Sequence, residues 1–315
     1  MMDITLEQQR FDQSLALLQK EACLEYSGEY GAELTTFIPF VAWLKREGHL
    51  AGRRIVTYAG MRPYYFFLDE GEFAGKTEPR RWLPENDRYW PFNCTYTAIT
   101  NPWHVYPDYR QYYAARGRRF KRPLLFIQNK FAMEWKVGPI NYIPLKSLSL
   151  LLQLTSDRFD VVYSRPRAEL AGYSRDENNF CDYPDRAIIK QFPHVLDFEA
   201  ECQAQGAAYN RAKLEILAQA RLFVAVQGGG AHALACFGNS LFLLLHHQQG
   251  FSGEYPHAYK HGPYRYLSPN PVHLLVTRNF PDFELGMEMI SHATVSESNI
   301  VLPAADRELV RRFTL

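Results

Sequence analysis

The second half of the chain contains a glycine-rich segment whose residue types suit the binding of an anion. An apolar run at residues 222–226 is followed by three glycines and then by small residues that favour a helix. The residues after the run are Gln227, Gly228, Gly229, Gly230, Ala231 and His232. This pattern predicts a strand, a tight turn and a helix N-terminus, where backbone N–H groups can approach a phosphate. It also fits an ordinary strand-to-helix connection of an α/β protein.

Two further apolar runs, at residues 124–127 and 159–163, also end in polar and basic side chains. These side chains are Asn129 and Lys130 after the first run, and Arg165 and Arg167 after the second. Ligands of open α/β sheets bind outside the carboxyl ends of the strands, so cations there together with a free helix N-terminus predict a diphosphate pocket. Taken singly, each of these charges fits a solvated loop equally well.

The elements that must position these residues alternate between strand and helix patterns. In the first half we predict helices at 6–20 and 34–46 and strands at 23–26 and 54–58, with residues 60–113 as a long loop region with short elements. The second half has strand patterns at 124–127, 159–163, 222–226, 241–245 and 272–276 and helix patterns at 145–154, 209–219 and 304–313. This alternation predicts an α/β fold of two Rossmann-like domains with parallel sheets facing each other across a cleft.

We expect the domain boundaries to follow the basic, turn-prone segment at residues 116–122. Residues 1–121 then form an acceptor-side α/β domain, residues 122–302 a donor-binding α/β domain, and residues 303–315 a C-terminal helix. The basic segment itself fits either a solvated linker or a site that docks on an anionic membrane surface. The polar, aromatic segment at 253–261 is predicted to be a loop that contacts the ligand or an ordinary surface loop.

The charge balance and the cysteines exclude several classes of protein. The 315 residues contain 35 Lys and Arg against 34 Asp and Glu, a net charge of +1 that does not support wholesale nucleic-acid binding. The five cysteines are widely spaced and form no CxxC pair, which predicts reduced thiols and neither a disulfide framework nor a zinc site. No run approaches the ~20 apolar residues of a membrane span, and we expect a cytoplasmic protein.

The glycine segment and the order of elements resemble the donor domain of GT-B glycosyltransferases, most closely the bacterial heptosyltransferase group. That group has an Asp-x-Gly-x-x-His-x-x-Ala motif that holds the diphosphate of the nucleotide-sugar. Gly229, His232 and Ala235 match the motif here, and Gln227 stands where the family has Asp. The resemblance implies that the residues from Gln227 to His232 contact the donor, as do Asn129, Arg165 and Arg167.

The first half resembles the family's opening Gly-Asp-x-x-x-x-x-Pro loop, whose acidic residue is the proposed catalytic base. Glu33 lies six residues before Pro39, the spacing of that loop, but Ala32 replaces the glycine. The resemblance therefore implies that Glu33 is the base, with Glu29 as the rival; from the sequence alone, Glu33 fits a helix N-terminal acid as well. Lys130 matches the family's phosphate-binding lysine, and Lys136 fits almost as well.

The function implied is inverting, metal-independent transfer of a sugar from a nucleotide-sugar to a glycan or lipid-linked acceptor in bacterial surface polysaccharide synthesis. No resident cofactor is expected, because the nucleotide-sugar is a co-substrate, and the chain has no Asp-x-Asp pair for a metal. The acceptor side would allow peripheral contact with the inner face of the membrane. Polysaccharide pyruvyl transferases, nucleotide-sugar epimerases and a non-catalytic glycan-binding relative share the architecture and remain alternatives; the replacement at Gln227 favours the last.

Overall fold

The computed structural model describes residues 4–78, 80, 102–133, 138–166, 181–246, 264, 266–296 and 300–303. The strands in these ranges are β1 (Cys23–Glu25), β2 (Arg54–Tyr58), β3 (Phe73–Lys76), β4 (Leu124–Gln128), β5 (Asp160–Ser164), β6 (Val195–Asp197), β7 (Leu222–Val226), β8 (Ser240–Leu245), β9 (Val272–Thr277), β10 (Thr294–Val295) and β11 (Ile300–Val301). The α-helices are α1 (Ile4–Glu21), α2 (Tyr30–Ala32), α3 (Ile38–Arg46), α4 (Tyr109–Tyr113), α5 (Leu145–Thr155), α6 (Asp185–Ile189), α7 (Phe198–Gln205), α8 (Tyr209–Leu217), α9 (Gly229–Ala235) and α10 (Phe280–His292).

The second half is built on a six-stranded parallel sheet in the order β6-β5-β4-β7-β8-β9. Its first strand along the chain is central, and the strand order reverses between β4 and β7, as in a doubly wound nucleotide-binding sheet. Residues of both faces are buried: alternate side chains of β4 and β7 enter two different apolar clusters. Continuous apolar runs are typical of parallel strands that are covered on both sides. The predicted α/β fold with parallel sheets is therefore confirmed.

The first half is a smaller parallel sheet, with strand order β1-β2-β3. Strand β3 lies within residues 60–113, the region predicted as a long loop with short elements. Its four residues contain no β-branched side chain, so the sequence carries little strand signal there. Gly75 allows the strand to pass close to the chain after β2, because a Cβ at this position would lie 2.7 Å from the Cα of Ala59.

A helical segment with a widened turn connects β1 to β2. It begins at Tyr30 rather than at the predicted residue 34, and a π-helical stretch (Glu33–Phe37) separates α2 from α3. Pro39 explains the position of this stretch, since it has no N–H for the carbonyl four residues earlier. Gly31 lies inside α2, where a Cβ would come within 3.0 Å of the His232 ring.

Six described elements of the second half were missed by the sequence patterns. They are α6, β6, α7, α10, β10 and β11, of which β10 and β11 form a two-stranded antiparallel sheet. Helix α10 does carry a sequence signal, because the Asn279 side chain accepts a hydrogen bond from the Asp282 N–H and caps its start. The predicted helix at 304–313 lies outside the described residues. None of the described helices is both long enough and apolar enough to cross a membrane.

The two halves share one apolar cluster, and a buried arginine joins them. Arg110 on α4 donates to the carbonyls of Ala218, Ala220, Phe237 and Gly238 at distances of 2.7–3.2 Å. These carbonyls follow α8 and α9, where helix ends leave acceptors without intrahelical partners. Burial lowers the pKa of Arg110, and no carboxylate of the described chain forms a salt bridge with it. Arg110 thus links the first half to the second by hydrogen bonds to uncharged backbone carbonyl groups.

Candidate functional site

A cleft of about 700 Å³, part of it open to solvent, lies at the carboxyl ends of β4 and β7. The strand order reverses at this point, and the chain leaves the two strands in opposite directions. Such a crevice is the usual ligand site of doubly wound sheets. The second half supplies most of its lining, and Tyr30 of the first half closes one side. The cleft is therefore the candidate site.

The glycine loop between β7 and α9 forms one wall of the cleft, as the sequence predicts. Gly228 has φ +145°, a conformation that favours glycine, and a Cβ there would lie 3.0 Å from Lys130 Nζ. A Cβ on Gly230 would lie 3.0 Å from Gln128 Cγ. Gly229 and Gly230 are in the first turn of α9, where backbone N–H groups have no intrahelical acceptor. Since α9 has seven residues, the loop offers local N–H groups rather than the field of a long helix.

Two lysines bring positive charge to the cleft. Lys130 lies beside the glycine loop, where it was predicted. The second, Lys213 on α8, was not predicted: it is 4% exposed and its Nζ donates to Gln128 Oε1 at 2.5 Å. Burial lowers the pKa of Lys213 to about 8, although Glu199 opposes the shift. Nothing in the described chain places a carboxylate within salt-bridge distance of it. A buried cation without an ion pair is a strong attractor for an anionic ligand.

A sequence signal for Lys213 did exist. Residues Tyr209, Lys213 and Leu217 are spaced by four and lie on the buried face of α8. A lysine in the apolar stripe of a helix is uncommon, because a buried ammonium loses its hydration. Such a position identifies a buried cation, but only the fold shows that α8 carries it to the cleft.

Asn129 and Arg165 have structural partners that account for their side chains. Asn129 is fully buried; its Oδ1 accepts from the Lys130 and Ile143 N–H groups, and its Nδ2 donates to Tyr163. Arg165 forms a buried bidentate ion pair with Asp185, with one contact of 2.8 Å. Asn129 lines the cleft while its side chain holds these partners, whereas Arg165 lies in its ion pair outside that lining, so the contacts of both with a ligand stay predictions. Arg167 lies outside the described residues.

Ala231 and His232 do not line the cleft, and their contacts with a ligand stay predictions. The N–H of Ala231 donates to the Gly228 carbonyl, and its methyl group is buried in the core. The His232 ring stacks on Tyr264 at 5.0 Å and lies against Gly31, outside the lining of the cleft. Burial, together with the charge of Lys130, lowers the pKa of His232 to about 4. A neutral His232 thus packs α2 against α9.

Gln227 remains at the cleft as expected. Its side chain is half-buried, and its Oε1 accepts a hydrogen bond from Asn141 Nδ2 at 3.4 Å. A neutral amide at this position adds no negative charge to the wall that the glycine loop forms. The replacement of the family's Asp by Gln227 is thus compatible with an anion in the cleft.

Glu33 does not reach the cleft. Its carboxylate is fully buried, forms an ion pair with Arg80, and accepts hydrogen bonds from Thr57 at 2.6 Å and Tyr65 at 2.7 Å. The pKa of Tyr65 is raised well above its usual range, mainly because the hydroxyl is buried and also because the Glu33 carboxylate is adjacent to it. Because the carboxylate is enclosed with Arg80, the structure does not favour Glu33 as the catalytic base, and that role stays a prediction.

Glu29, the rival, is exposed and directly precedes Tyr30 of the cleft. Tyr30 is held in place by a hydrogen bond between its hydroxyl and that of Tyr64, and the Arg80 guanidinium lies 5.5 Å from its ring centre. The buried Glu33–Arg80 pair therefore supports the wall of the cleft on which Tyr30 lies. The catalytic role of Glu29 stays a prediction.

The comparisons with known proteins give one similar structure. No protein-family model and no curated protein sequence matches the chain. The structure is similar to a glycosyl transferase family 9 protein from Veillonella parvula DSM 2008, over 88% of this chain and 90% of that one. The two share 10% sequence identity and the TM-score is 0.42. A likeness this distant does not decide the function, which has to be argued from the cleft.

Within the described ranges, no three His, Cys, Asp or Glu side chains are grouped in a way that could hold a metal ion. The His246 side chain is buried at the end of β8, and His247 lies outside the described residues. The segments at 134–137 and 253–261, which include Lys136 and the polar aromatic loop, also lie outside them.

Proposed function

We propose that the protein is a GT-B glycosyltransferase whose nucleotide-sugar donor places its diphosphate in the cleft between β4 and β7. The observation that carries this proposal is Lys213, a buried cation that lies at the strand-order reversal and forms no ion pair within the described residues. Lys130 and the N–H groups of the glycine loop complete a positive wall around the same space. Fixed cations and dipoles of this kind stabilise the charge that develops on a leaving diphosphate.

The acceptor, a glycan or lipid-linked saccharide, would enter from the side of Tyr30 and the first half. We propose metal-independent, inverting transfer, in which a carboxylate takes the proton of the attacking hydroxyl. Glu29 is the candidate base, because it is exposed beside Tyr30 whereas Glu33 is enclosed. Bacterial surface polysaccharide synthesis and a cytoplasmic location are proposed by analogy with the group that the sequence resembles.

Replacing Lys213 by methionine tests the donor site. We expect affinity for nucleoside diphosphates, measured by calorimetry with UDP, GDP and ADP, to fall by about 10- to 100-fold, the value of a charge-assisted hydrogen bond. The free energy of unfolding should stay within about 1 kcal/mol, because two effects oppose each other. The variant no longer buries an ammonium group, which stabilises it, but Gln128 Oε1 loses its hydrogen-bond donor, which destabilises it.

Lys190→Met is the matched control, because Lys190 is an exposed lysine of the same half. It should leave both affinity and stability at the wild-type values. Equal affinities of the Lys213→Met variant and the wild type for nucleoside diphosphates would show that the diphosphate does not bind in this part of the cleft. A thermal shift with phosphoenolpyruvate alone would favour a pyruvyl transferase instead.

Replacing Glu29 by glutamine tests the base. Turnover of donor with acceptor should fall by about two to four orders of magnitude, the range of a lost general base, with donor affinity unchanged. Because Glu29 is exposed, the denaturation midpoint should not move. A variant with full turnover would show that another residue takes the proton.

A non-catalytic glycan-binding or nucleotide-binding relative is the second candidate. One observation favours it: the described lining of the cleft contains lysines, amides and tyrosines but no carboxylate. Donor hydrolysis in the absence of acceptor separates the two candidates. Slow release of the nucleoside diphosphate supports the transferase, whereas binding without any release supports the non-catalytic protein.

A further inference from the structure

Lys213 has the surroundings of a nucleophilic amine. Lys213 lines the cleft, although only 4% of the residue is exposed to solvent. Its Nζ donates a hydrogen bond to the neutral side chain of Gln128. The rings of Phe126 and Tyr209 lie 5.9 and 5.7 Å from Nζ. Apolar and neutral surroundings favour the uncharged amine, which is the form that attacks carbonyl carbons.

The charged groups around Lys213 do not restore its full basicity. Glu199 and Cys202 on α7 act to raise the pKa, but burial outweighs them and the pKa falls to about 8. The Glu199 carboxylate is already shared by Ser164, the Arg165 N–H and the Arg186 guanidinium. A larger share of Lys213 is then uncharged at pH 7 than of an ordinary lysine.

Lys130 and the glycine loop would hold a phosphate close to this amine. This step rests on the proposed function, because it assigns the same wall of the cleft to a phosphate group. We propose that Lys213 is a carbonyl-reactive lysine, which forms a reversible imine with small phosphorylated aldehydes that enter the cleft. The uncharged Nζ adds to the carbonyl carbon, and the resulting carbinolamine loses one water to leave the C=N bond. No oxidant or reductant is needed.

Pyridoxal 5′-phosphate is the probe that tests this proposal. The full-length protein is incubated with the probe, the imine is trapped with borohydride, and the modified lysines are located by peptide mass spectrometry. We expect the Lys213 peptide to be labelled at least 10-fold faster than the other lysine peptides. Its rate should rise with pH and level off near pH 8, whereas surface lysines should continue to gain reactivity up to about pH 10.

Matched controls identify what directs the label. Lys213→Arg keeps the charge but cannot form the imine, and it should lose the fast label; Lys190→Arg should keep it. Pyridoxal without the phosphate should react with Lys213 several-fold more slowly. Labelling spread evenly over the surface lysines, or a Lys213 rate that does not depend on the phosphate, would overturn the proposal.

Competition with UDP and the other nucleoside diphosphates separates this proposal from the donor assignment. Fast labelling that a diphosphate blocks supports both. Fast, phosphate-dependent labelling that no nucleotide blocks supports the reactive lysine and contradicts the donor site. Nucleotide binding without fast labelling of Lys213 leaves the donor site standing and refutes the reactive lysine.

Discussion

Replacing Glu33 by glutamine is expected to destabilise the protein by about 3–5 kcal/mol, the usual cost of removing one partner of a buried ion pair. The Arg80 side chain is 1% exposed, and the substitution would leave its cation without the carboxylate that now neutralises it. Thr57 and Tyr65 would also lose a charged acceptor for their hydroxyl hydrogens. Urea unfolding followed by circular dichroism measures this change as a lower midpoint with an unchanged slope.

Two comparisons make the Glu33 result specific. Glu29→Gln removes a carboxylate four residues away that is exposed, and it should not change the midpoint. Replacing both Glu33 and Arg80 by methionine removes the two charges together, and the double variant should be more stable than Glu33→Gln. A Glu33→Gln variant that keeps wild-type stability but has no turnover would instead indicate that Glu33 is the catalytic base.

Replacing Arg110 by methionine is expected to cost about 3 kcal/mol or more, because several buried carbonyls lose their donor at once. The four acceptors belong to the segments that follow α8 and α9, which lead into β7 and β8. Arg110→Lys should recover only part of the loss, since one ammonium cannot span the acceptors that the planar guanidinium reaches. The free energy of unfolding again provides the measurement.

Arg116→Met is the matched control for Arg110. Arg116 is an exposed arginine of the same segment and donates to the Tyr112 carbonyl, so its removal should change stability by less than about 0.5 kcal/mol. Equal stabilities of the Arg110→Met and Arg116→Met variants would mean that water replaces the guanidinium at the junction. A loss confined to Arg110→Met would show that this side chain holds the two halves together.

The amino-acid sequence by itself determined the parallel strands of the second half and the glycine loop. Strands β4, β7 and β8 are continuous apolar runs, and each run is long enough to predict a buried strand without knowledge of its neighbours. The three glycines after β7 predict a turn in the same local way, because residues without a Cβ adopt the backbone conformations that tight turns need, and Gly228 has φ +145°. The short strand β3 has no such pattern and could not be predicted.

The tertiary structure alone decided which charged side chains face the cleft. Glu33, Arg165 and Lys213 are all charged residues in the sequence; in the described chain the first two are buried in ion pairs, whereas Lys213 is buried without one. These outcomes depend on contacts with residues far along the chain, such as the contact between Glu33 and Arg80 or between Lys213 and Gln128. Local patterns carry propensity and periodicity, whereas the solvation of a charge is set by everything that packs around it.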